Sequence, residues 1–209
     1  MGRYTGPKDK KSRAARTKLF LKGERDLSPK GALTRRPYPP GMHGAKHQRA
    51  KSEFGAQLLE KQKVKWVYGV LERQFKRYVN EAQRHRGLTA LVLAQMLEKR
   101  LDNVVYRLGF APSRSAARQL VGHGHITVNG KKVSTPSYSV RSLENVGIRE
   151  QSRSKRVFSE LPVRLKKYTP PSWLALDRED AEGKIIGEPS LEEAGIPANM
   201  QKIIEFYSR

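Results

Sequence analysis

The sequence contains no cysteine, which excludes disulfide bonds, thiol catalysis and any zinc site with cysteine ligands. It has no apolar run near the ~20 residues that a membrane-spanning helix needs, and no apolar core of a signal peptide. From these absences we expect a soluble intracellular protein that does not interact with membranes.

Acidic residues are scarce relative to basic ones. The 209 residues include 42 lysines and arginines but only 20 aspartates and glutamates, which gives a formal net charge of +22 and a pI near 10.4. This excess opposes compaction through self-repulsion, and a polyanionic partner explains it. Hydrophobic residues make up only 37% of the chain, so part of it is expected to lack a core and to become ordered on that partner.

The imbalance is concentrated in the first 51 residues, which contain 15 basic residues against three acidic ones. Glycines and prolines recur there, as in Pro37–Gly41, and the few apolar residues have no period. Such a segment cannot bury enough surface to offset its ordering entropy, so we predict a basic, partly extended N-terminal arm over residues 1–51 that is extended or disordered when free. An organellar targeting peptide has a similar composition and is the alternative for this segment.

From Ser52 the pattern becomes helical. Ser52 is a good N-cap, and apolar residues from Val64 to Ala82 keep spacings of three and four, which predicts one helix of at least five turns. Another helix begins near Thr89 and is apolar on nearly all sides, which indicates burial. Residues 52–98 therefore form a predicted helical domain.

Residues 99–172 begin with local signals in close succession. An apolar stripe from Leu101 to Leu108 predicts a short helix, and Ser113 is placed to cap a second one that ends near Gly122. The dipeptide Asn129-Gly130 then suits a type I′ turn between two strands. Shorter alternating stretches predict further strands between residues 137 and 158. The expected unit is a helix-turn-helix followed by a small antiparallel sheet.

Basic residues of this unit fall on one predicted face. Arg114 and Arg118 are four residues apart on the second helix and share one side of it, and His123 and Lys131 follow on the loop and hairpin. No carboxylate occurs from residue 103 to residue 143. A face of one sign attracts polyanions, and the planar guanidinium group suits phosphate. We interpret it as an RNA-binding face, with a merely solvated basic face as the alternative.

The sign of the charge reverses near the C-terminus. From Asp177 to Arg209 there are 8 acidic and 4 basic residues. A hairpin that turns at Glu182-Gly183 and a last helix capped by Asn199 are predicted over residues 173–209. Because a short acidic tail cannot fold alone, we expect it to pack back on the helical domain, where it could dock a basic neighbour.

Several runs of sequence carry a resemblance to a known family. One part of the chain resembles the S4 RNA-binding module, which several protein families contain. The resemblance lies in the runs RLDNVVYR, SRSAARQLV and HGHITVNGKKV. The chain as a whole resembles the bacterial-type ribosomal protein S4 family itself. This resemblance is carried by the runs GRYTGPKDKKSRAARTKLFLKGER and RRPYPPGMHGAKHQRAKSEF and by the closing IIEFYSR. Since some members carry a zinc-binding cysteine cluster near the N-terminus, the chain resembles the zinc-free branch.

The resemblance implies an α+β fold in which the RNA-binding module is inserted in the helical domain. It implies a structural constituent of the small ribosomal subunit in the cytoplasm, or in an organelle, that needs no cofactor. Such proteins bind a junction in the five-prime domain of small-subunit rRNA and nucleate assembly of the subunit body. The resemblance also implies contacts with protein S5 and with mRNA where it enters the subunit, and an effect on translational accuracy.

Other classes of function are less well supported. No nucleophile with a base, phosphate-binding loop or dinucleotide motif can be assembled, so no enzyme is predicted. The alternatives are a free-standing RNA chaperone or translational repressor, or a fragment of an RNA-modifying enzyme that carries the same module. His43 and His47 are four residues apart, but no carboxylate or cysteine lies nearby in sequence to complete a metal site. The side chains of His123 and His125 are expected to alternate across the start of a strand rather than to converge. No metal site is therefore predicted.

The residues expected to contact RNA are basic side chains of the arm and the module. They are Arg3, Lys8, Lys10, Lys11, Arg13, Arg16, Arg35, Arg36, Lys46, Arg49, Lys51, Arg114, Arg118, His123 and Lys131.

Overall fold

A computed structural model describes residue 2, residues 4–46 and residues 49–208. Helices and one five-stranded antiparallel sheet make up its regular structure, which confirms the predicted α+β class. Internal contacts divide the chain into two compact units: unit 1 comprises residues 1–93 and 195–209, and unit 2 comprises residues 94–194. The boundary at residue 93 falls inside helix α5 (Thr89–Glu98).

In the described residues of unit 1, the other regular elements are helices. They are α1 (Lys8–Ala15), a 3₁₀ helix (Gly23–Asp26), α2 (Ala32–Arg35), α3 (Glu53–Tyr68), α4 (Glu72–Arg84) and α11 (Met200–Tyr207).

The N-terminal arm contains helices as well as segments without regular structure. Ala15 at the end of α1 and Leu19 after it are 4% and 1% exposed, so the arm contributes apolar side chains to a core. Lys22 pairs with Asp9 at 2.9 Å, and its N–H donates a hydrogen bond to the Asp26 carboxylate at 3.0 Å. The expectation of an unpacked arm is wrong for this part, because these contacts fasten α1 to the 3₁₀ helix although the apolar residues have no period.

Two helices replace the single helix predicted from Val64 to Ala82. Helix α3 begins as expected, with the Ser52 hydroxyl accepting a hydrogen bond from the Gly55 N–H at 3.2 Å. It ends at Gly69, whose φ of +63° lies in the left-handed region that glycine adopts without a Cβ clash. Apolar spacing alone does not reveal this break, because the buried residues of α4 continue the same spacing.

The last helix packs on α3 within unit 1. Asn199 caps α11 through its side-chain oxygen. The Phe206 ring lies 5.4 Å from the Phe54 ring, and the Gln57 side-chain amide donates a hydrogen bond to Glu205 at 3.2 Å. Aromatic stacking and a hydrogen bond to a charged group therefore hold this helix in place.

Glu72, the first residue of α4, links α4 to both α3 and α11. Its carboxylate accepts hydrogen bonds from the Lys61 ammonium at 3.0 Å, from the Tyr207 hydroxyl at 2.6 Å and from the Lys65 ammonium. Burial opposes the ionised form, but the hydrogen bonds from Lys65, Tyr207 and Lys61 outweigh it and lower the pKa of Glu72 from 4.5 to about 2.

A carboxylate with a lowered pKa stabilises the folded state above its unfolded-state pKa and loses this contribution as the pH falls toward its folded-state pKa. We expect Glu72→Gln to lower the free energy of unfolding near neutral pH. The difference from the unaltered chain should shrink between pH 4.5 and about pH 2. Urea unfolding across this range measures it, with Glu81→Gln on the exposed side of α4 as the control. A difference that persists undiminished to the acid end contradicts the prediction.

Unit 2 contains the sheet and further helices. Its elements after α5 are α6 (Leu101–Arg107), α7 (Arg114–Gly122), β1 (Ile126–Val128), β2 (Lys131–Lys132), β3 (Asn145–Ile148), α8 (Glu150–Arg153), a 3₁₀ helix (Arg156–Phe158), α9 (Leu161–Lys167), β4 (Leu174–Asp177), β5 (Glu182–Ile185) and α10 (Leu191–Ala194). Among the described helices of the chain, none is both long and apolar enough to cross a membrane.

The predicted helix-turn-helix and first hairpin are present. Gly109 follows α6 with a φ of +80°, and the Ser113 hydroxyl caps α7 by accepting a hydrogen bond from the Ala116 N–H at 3.3 Å. Asn129 and Gly130 have φ values of +48° and +76°, as a type I′ turn requires. The apolar sides of α6 and α7 and the inner side of the sheet share one buried core.

The sheet corrects the predicted place of the C-terminal hairpin. Its strand order is β2-β1-β3-β5-β4, and β5 pairs with β3 so that Gly183 lies opposite Val146. A Cβ at Gly183 would lie 2.2 Å from the Leu108 side chain, so glycine permits β5 to approach α6. The prediction that this hairpin packs on the helical domain is wrong. Its turn also occupies residues 178–181 rather than Glu182-Gly183.

Residues 137–158 form fewer strands than predicted. In the described chain only β3 forms there, while Ser139 makes an isolated bridge with Arg100. Val157 lies in a 3₁₀ helix and is exposed. The basic residues Arg164, Lys166 and Lys167 that follow lie in α9, where Leu161 and Leu165, four residues apart, are both buried.

Candidate nucleic-acid interface

Helix α7 places Arg114 and Arg118 on one side, as their spacing predicts, but that side faces α6. Each arginine side chain is only 15% exposed. Arg118 lies 3.2 Å from an oxygen of Asp102, and Arg114 donates a hydrogen bond to the side-chain oxygen of Asn103 at 2.7 Å. These guanidinium groups therefore have acceptors within unit 2.

Glu98, near the end of α5, is a buried acceptor for the same arginine side. Its side chain is 0% exposed and accepts hydrogen bonds from Arg107 at 2.8 and 3.1 Å and from the Asn103 amide at 2.9 Å. Arg114 lies 3.8 Å from it. One buried carboxylate thus joins α5 to α6 and α7 through two guanidinium groups.

Asp102 is the second buried carboxylate of this network. It is 4% exposed and lies between two guanidinium groups, that of Arg100 at 2.7 Å and that of Arg118. Glu98 and Asp102 both precede the carboxylate-free stretch of sequence, yet they lie against α7 in the fold. The interpretation of this side of α7 as a face of one sign is therefore wrong.

His123 and Lys131 are exposed, on the loop after α7 and on β2. The expected alternation of His123 and His125 does not occur, since their rings lie 6.1 Å apart. Between them Gly124 has a φ of +73°, a left-handed conformation that an extended strand does not contain. The structure therefore brings both imidazole rings to one place.

The basic residues in and next to α1 differ in exposure. Lys10 and Arg16 are exposed, whereas Lys8, Lys11 and Arg13 are half-buried. Arg3 lies outside the described residues. The predicted cluster is thus divided into side chains that face solvent and side chains with contacts inside unit 1.

Lys11 lies against aromatic rings. Its ammonium is 3.3 Å from the centroid of the Tyr4 ring and 5.7 Å from that of Trp66. Burial, and then the charges of Lys65 and Lys8, lower the pKa of Lys11 to about 8. Trp66 is half-buried in α3.

Arg13 fixes the segment that follows α2. Its guanidinium donates hydrogen bonds to the carbonyl oxygens of Tyr38 at 3.0 Å and Pro39 at 3.1 Å, and lies 4.9 Å from the centroid of the Tyr38 ring. A Cβ at Gly44 would lie 1.9 Å from the Pro39 carbonyl oxygen, so this turn is tightly closed. Five exposed basic residues flank it along the chain: Arg35, Arg36, Lys46, Arg49 and Lys51.

Positive charge is concentrated where the arm meets α3. Burial and the nearby Arg16 and Lys63 lower the pKa of Lys51, while Glu60 acts in the opposite direction. Glu60 is itself paired with Lys63 at 2.7 Å. An anion close to Lys51 and Arg16 would relieve this repulsion.

The described residues contain no group of three or more histidines, aspartates, glutamates or cysteines placed to hold a metal ion. His43 is exposed, and His47 lies outside the described residues.

Comparison with known proteins accounts for the whole length of the chain. The family model of the ribosomal protein S4/S9 N-terminal domain matches residues 3–98, and that of the S4 domain matches residues 99–145. The small ribosomal subunit protein uS4 of Thermus thermophilus is 49% identical over 209 residues, which is 100% of both chains. The chain belongs to the uS4 family. The uS4 proteins of Natranaerobius thermophilus and Halothermothrix orenii are 48% and 47% identical over the same full length.

Membership of the uS4 family confirms the resemblance that the sequence runs indicate. The two family models meet between residues 98 and 99, whereas the compact units divide at residues 93 and 94. The network around Glu98 explains the difference, because its contacts with α6 and α7 attach the end of α5 to unit 2.

Sequence reasoning missed the carboxylates that hold the arginines of this uS4 chain. Glu98 follows Leu97 in a helix that is apolar on nearly all sides. A carboxylate in such a helix is expected to be buried and therefore to need a partner. That signal was available. The surroundings of His125, which include Lys132 and Lys155, were also missed, and no local pattern brings these residues together.

Replacement of Arg118 distinguishes a structural role from contact with RNA. We expect Arg118→Gln to lower the free energy of unfolding by about 1–3 kcal/mol, a modest loss because Asp102 keeps its pair with Arg100. The slope of log K against log salt for rRNA binding should not change. Urea unfolding and a salt series on the same preparation measure both quantities. A slope reduced by about one unit at unchanged stability would assign Arg118 to a phosphate instead.

Proposed function

We propose that this chain is a structural constituent of the small ribosomal subunit and binds small-subunit rRNA. The observation that carries the proposal is the full-length identity of 49% to a small ribosomal subunit protein uS4. The net charge of +22 supports it, because a polyanion offsets the self-repulsion. The uS4 family is structural and non-enzymatic, so we assign no reaction to the chain. We place it in the cytoplasm, in the small subunit.

Binding rests on charge and shape. Lysine and arginine side chains displace counterions from phosphates, so log K should fall by about 0.9 per log unit of salt for each duplex phosphate neutralised. The major groove of A-form RNA is too narrow for side chains, so a folded junction is recognised mainly by its shape. Within each unit, packed elements hold the basic side chains of that unit in place, so that they can match such a shape.

The exposed residues among the basic residues predicted from the sequence are the proposed phosphate contacts. They are Lys10, Arg16, Arg35, Arg36, Lys46, Arg49, Lys51, His123 and Lys131. We assign the half-buried Lys8, Lys11 and Arg13 a supporting role rather than a phosphate contact. Arg13, for example, holds the backbone at Tyr38 and Pro39. Arg114 and Arg118 hold α7 on α6 and act as positioning residues.

The finer partners follow from the family resemblance. We infer binding to a junction in the five-prime domain of the rRNA, early enough to nucleate assembly of the subunit body. We also infer contacts with protein S5 and with mRNA where it enters the subunit, through which the chain affects translational accuracy. Exposed acidic residues around the turn of the C-terminal hairpin, Asp177, Glu179, Asp180 and Glu182, would suit a basic neighbouring protein.

Binding of the purified chain to the isolated five-prime domain of small-subunit rRNA tests the proposal. An unrelated structured RNA of similar length is the control, and both are titrated across a salt series. We expect tight, selective binding to the five-prime domain with a steep salt slope. Equal affinity for both RNAs would overturn the proposal and favour a general RNA chaperone.

A further inference from the structure

The loop between α7 and β1 gathers basic groups around two histidines. The rings of His123 and His125 lie 6.1 Å apart with Gly124 between them. A Cβ at Gly124 would lie 2.2 Å from Cε and 3.0 Å from Nζ of Lys132, so the lysine side chain extends across this glycine. Three basic side chains from the loop and β2 therefore meet at one point.

The His125 ring is held in one orientation. Its Nδ1 lies 3.0 Å from the hydroxyl of Ser152, a residue of α8 that is 2% exposed. The Phe158 ring packs against it at 6.0 Å with an interplanar angle of 88°. Within the described residues the ring makes no other hydrogen bond, which leaves Nε2 to donate to a ligand when the ring is protonated.

The charges around His125 are unfavourable to its protonation. Burial lowers the pKa of His125, and the charged groups that act on it most strongly do the same: Lys155, His123, Arg149 and Lys132. They come from the loop, from β2, from the end of β3 and from the segment after α8. An anion among them would remove the repulsion and favour the protonated ring.

We propose that His123, His125, Lys132 and Lys155 form a binding site for one phosphodiester group of RNA, and that His125 takes up a proton when the phosphodiester binds. The proposal rests on the proposed rRNA binding and assigns one of its contacts. Lys132 and Lys155 supply fixed charge, whereas His125 supplies a charge that exists mainly in the complex. The proton comes from solvent, and no covalent bond changes.

The sign of the pH dependence follows from linkage. A group that binds a proton more tightly in the complex makes the affinity rise as the pH falls, by at most tenfold per pH unit for one proton. Since the free ring is mainly neutral near pH 7, RNA affinity should rise by roughly threefold to tenfold between about pH 7.5 and about pH 6. The phosphodiester itself does not titrate in this range.

The test uses the full chain and the isolated five-prime domain of small-subunit rRNA at constant salt. Affinity is measured at about pH 6 and about pH 7.5, and the pKa of His125 is measured by NMR of its ring with and without the RNA. We expect the affinity to change as above and the pKa of His125 to rise in the complex. His125→Gln should reduce the pH dependence, while His85→Gln, an exposed histidine of unit 1, should leave it intact.

Lys155→Gln provides a second variant at an exposed position, in case His125→Gln perturbs the loop. It should raise the pKa of His125 in the free chain and weaken RNA binding. An unchanged pKa of His125 on RNA binding, or the same pH dependence in His125→Gln as in the unaltered chain, would overturn the site. If the chain retains selective, salt-dependent binding in that case, the proposed function stands without it. Absence of selective rRNA binding would overturn both.

Discussion

Replacement of Glu98 by alanine is expected to lower the free energy of unfolding by about 3–5 kcal/mol. The carboxylate is fully buried, and its oxygens accept hydrogen bonds from Arg107 and Asn103. Arg114 also lies within 3.8 Å of it. The substitution removes a buried counter-charge of two guanidinium groups that are both less than a fifth exposed, and that penalty exceeds the loss of the hydrogen bonds alone.

Urea unfolding of Glu98→Ala and of Glu179→Ala measures the effect of burial. Glu179 is exposed in the turn between β4 and β5, so its replacement should change stability by less than about 0.5 kcal/mol. If Glu98→Ala were as stable as this control, the buried network would not hold α5, α6 and α7 together.

Neutralisation of four exposed residues, one at the end of α2 and three between α2 and α3, should produce the largest loss of RNA binding. These residues are Arg35, Arg36, Lys46 and Arg49. If each of them neutralises one duplex phosphate, replacing all four by glutamine reduces the slope of log K against log salt by about 3–4 units. Stability should change little, because exposed side chains without a buried partner contribute little to folding.

The matched control replaces the same number of exposed basic residues on α4. They are Arg73, Lys76, Arg77 and Arg84. Both quadruple variants lose the same formal charge, so a general electrostatic effect would reduce the two slopes equally. A larger reduction in the first variant supports a specific contact surface, whereas equal slopes would contradict it.

Locally determined features could be predicted from sequence. Ser52, Ser113 and Asn199 cap helices as expected, because an N-cap depends only on a side chain and the turn that follows it. The Asn129-Gly130 turn is likewise determined by the left-handed preference of two adjacent residues.

Features that depend on distant residues could not be predicted. The C-terminal hairpin joins the sheet because Gly183 permits close approach to Leu108, 75 positions earlier in the numbering. The side of α7 that carries Arg118 faces Asp102, and periodicity gives only which residues share a side, not what that side contacts. The shared side of Arg114 and Arg118 could therefore be predicted from their spacing, but their burial against α6 could not.

The break at Gly69 is an intermediate case. Glycine is a common helix C-cap, so the signal was present, but the apolar spacing across residues 64–82 favoured a continuous helix. Such conflicts between a local signal and a longer period are resolved only by the packing of the finished fold.

The copy number of the chain in purified small ribosomal subunits tests the central claim most directly. Small subunits from cells that express the chain are separated on a sucrose gradient, washed with high salt, and analysed by quantitative mass spectrometry against other small-subunit proteins. A structural constituent should be present at about one copy per subunit and absent from the large subunit. A chain found mainly in free protein fractions, or present at a small fraction of one copy, would contradict the account and identify an accessory RNA-binding protein instead.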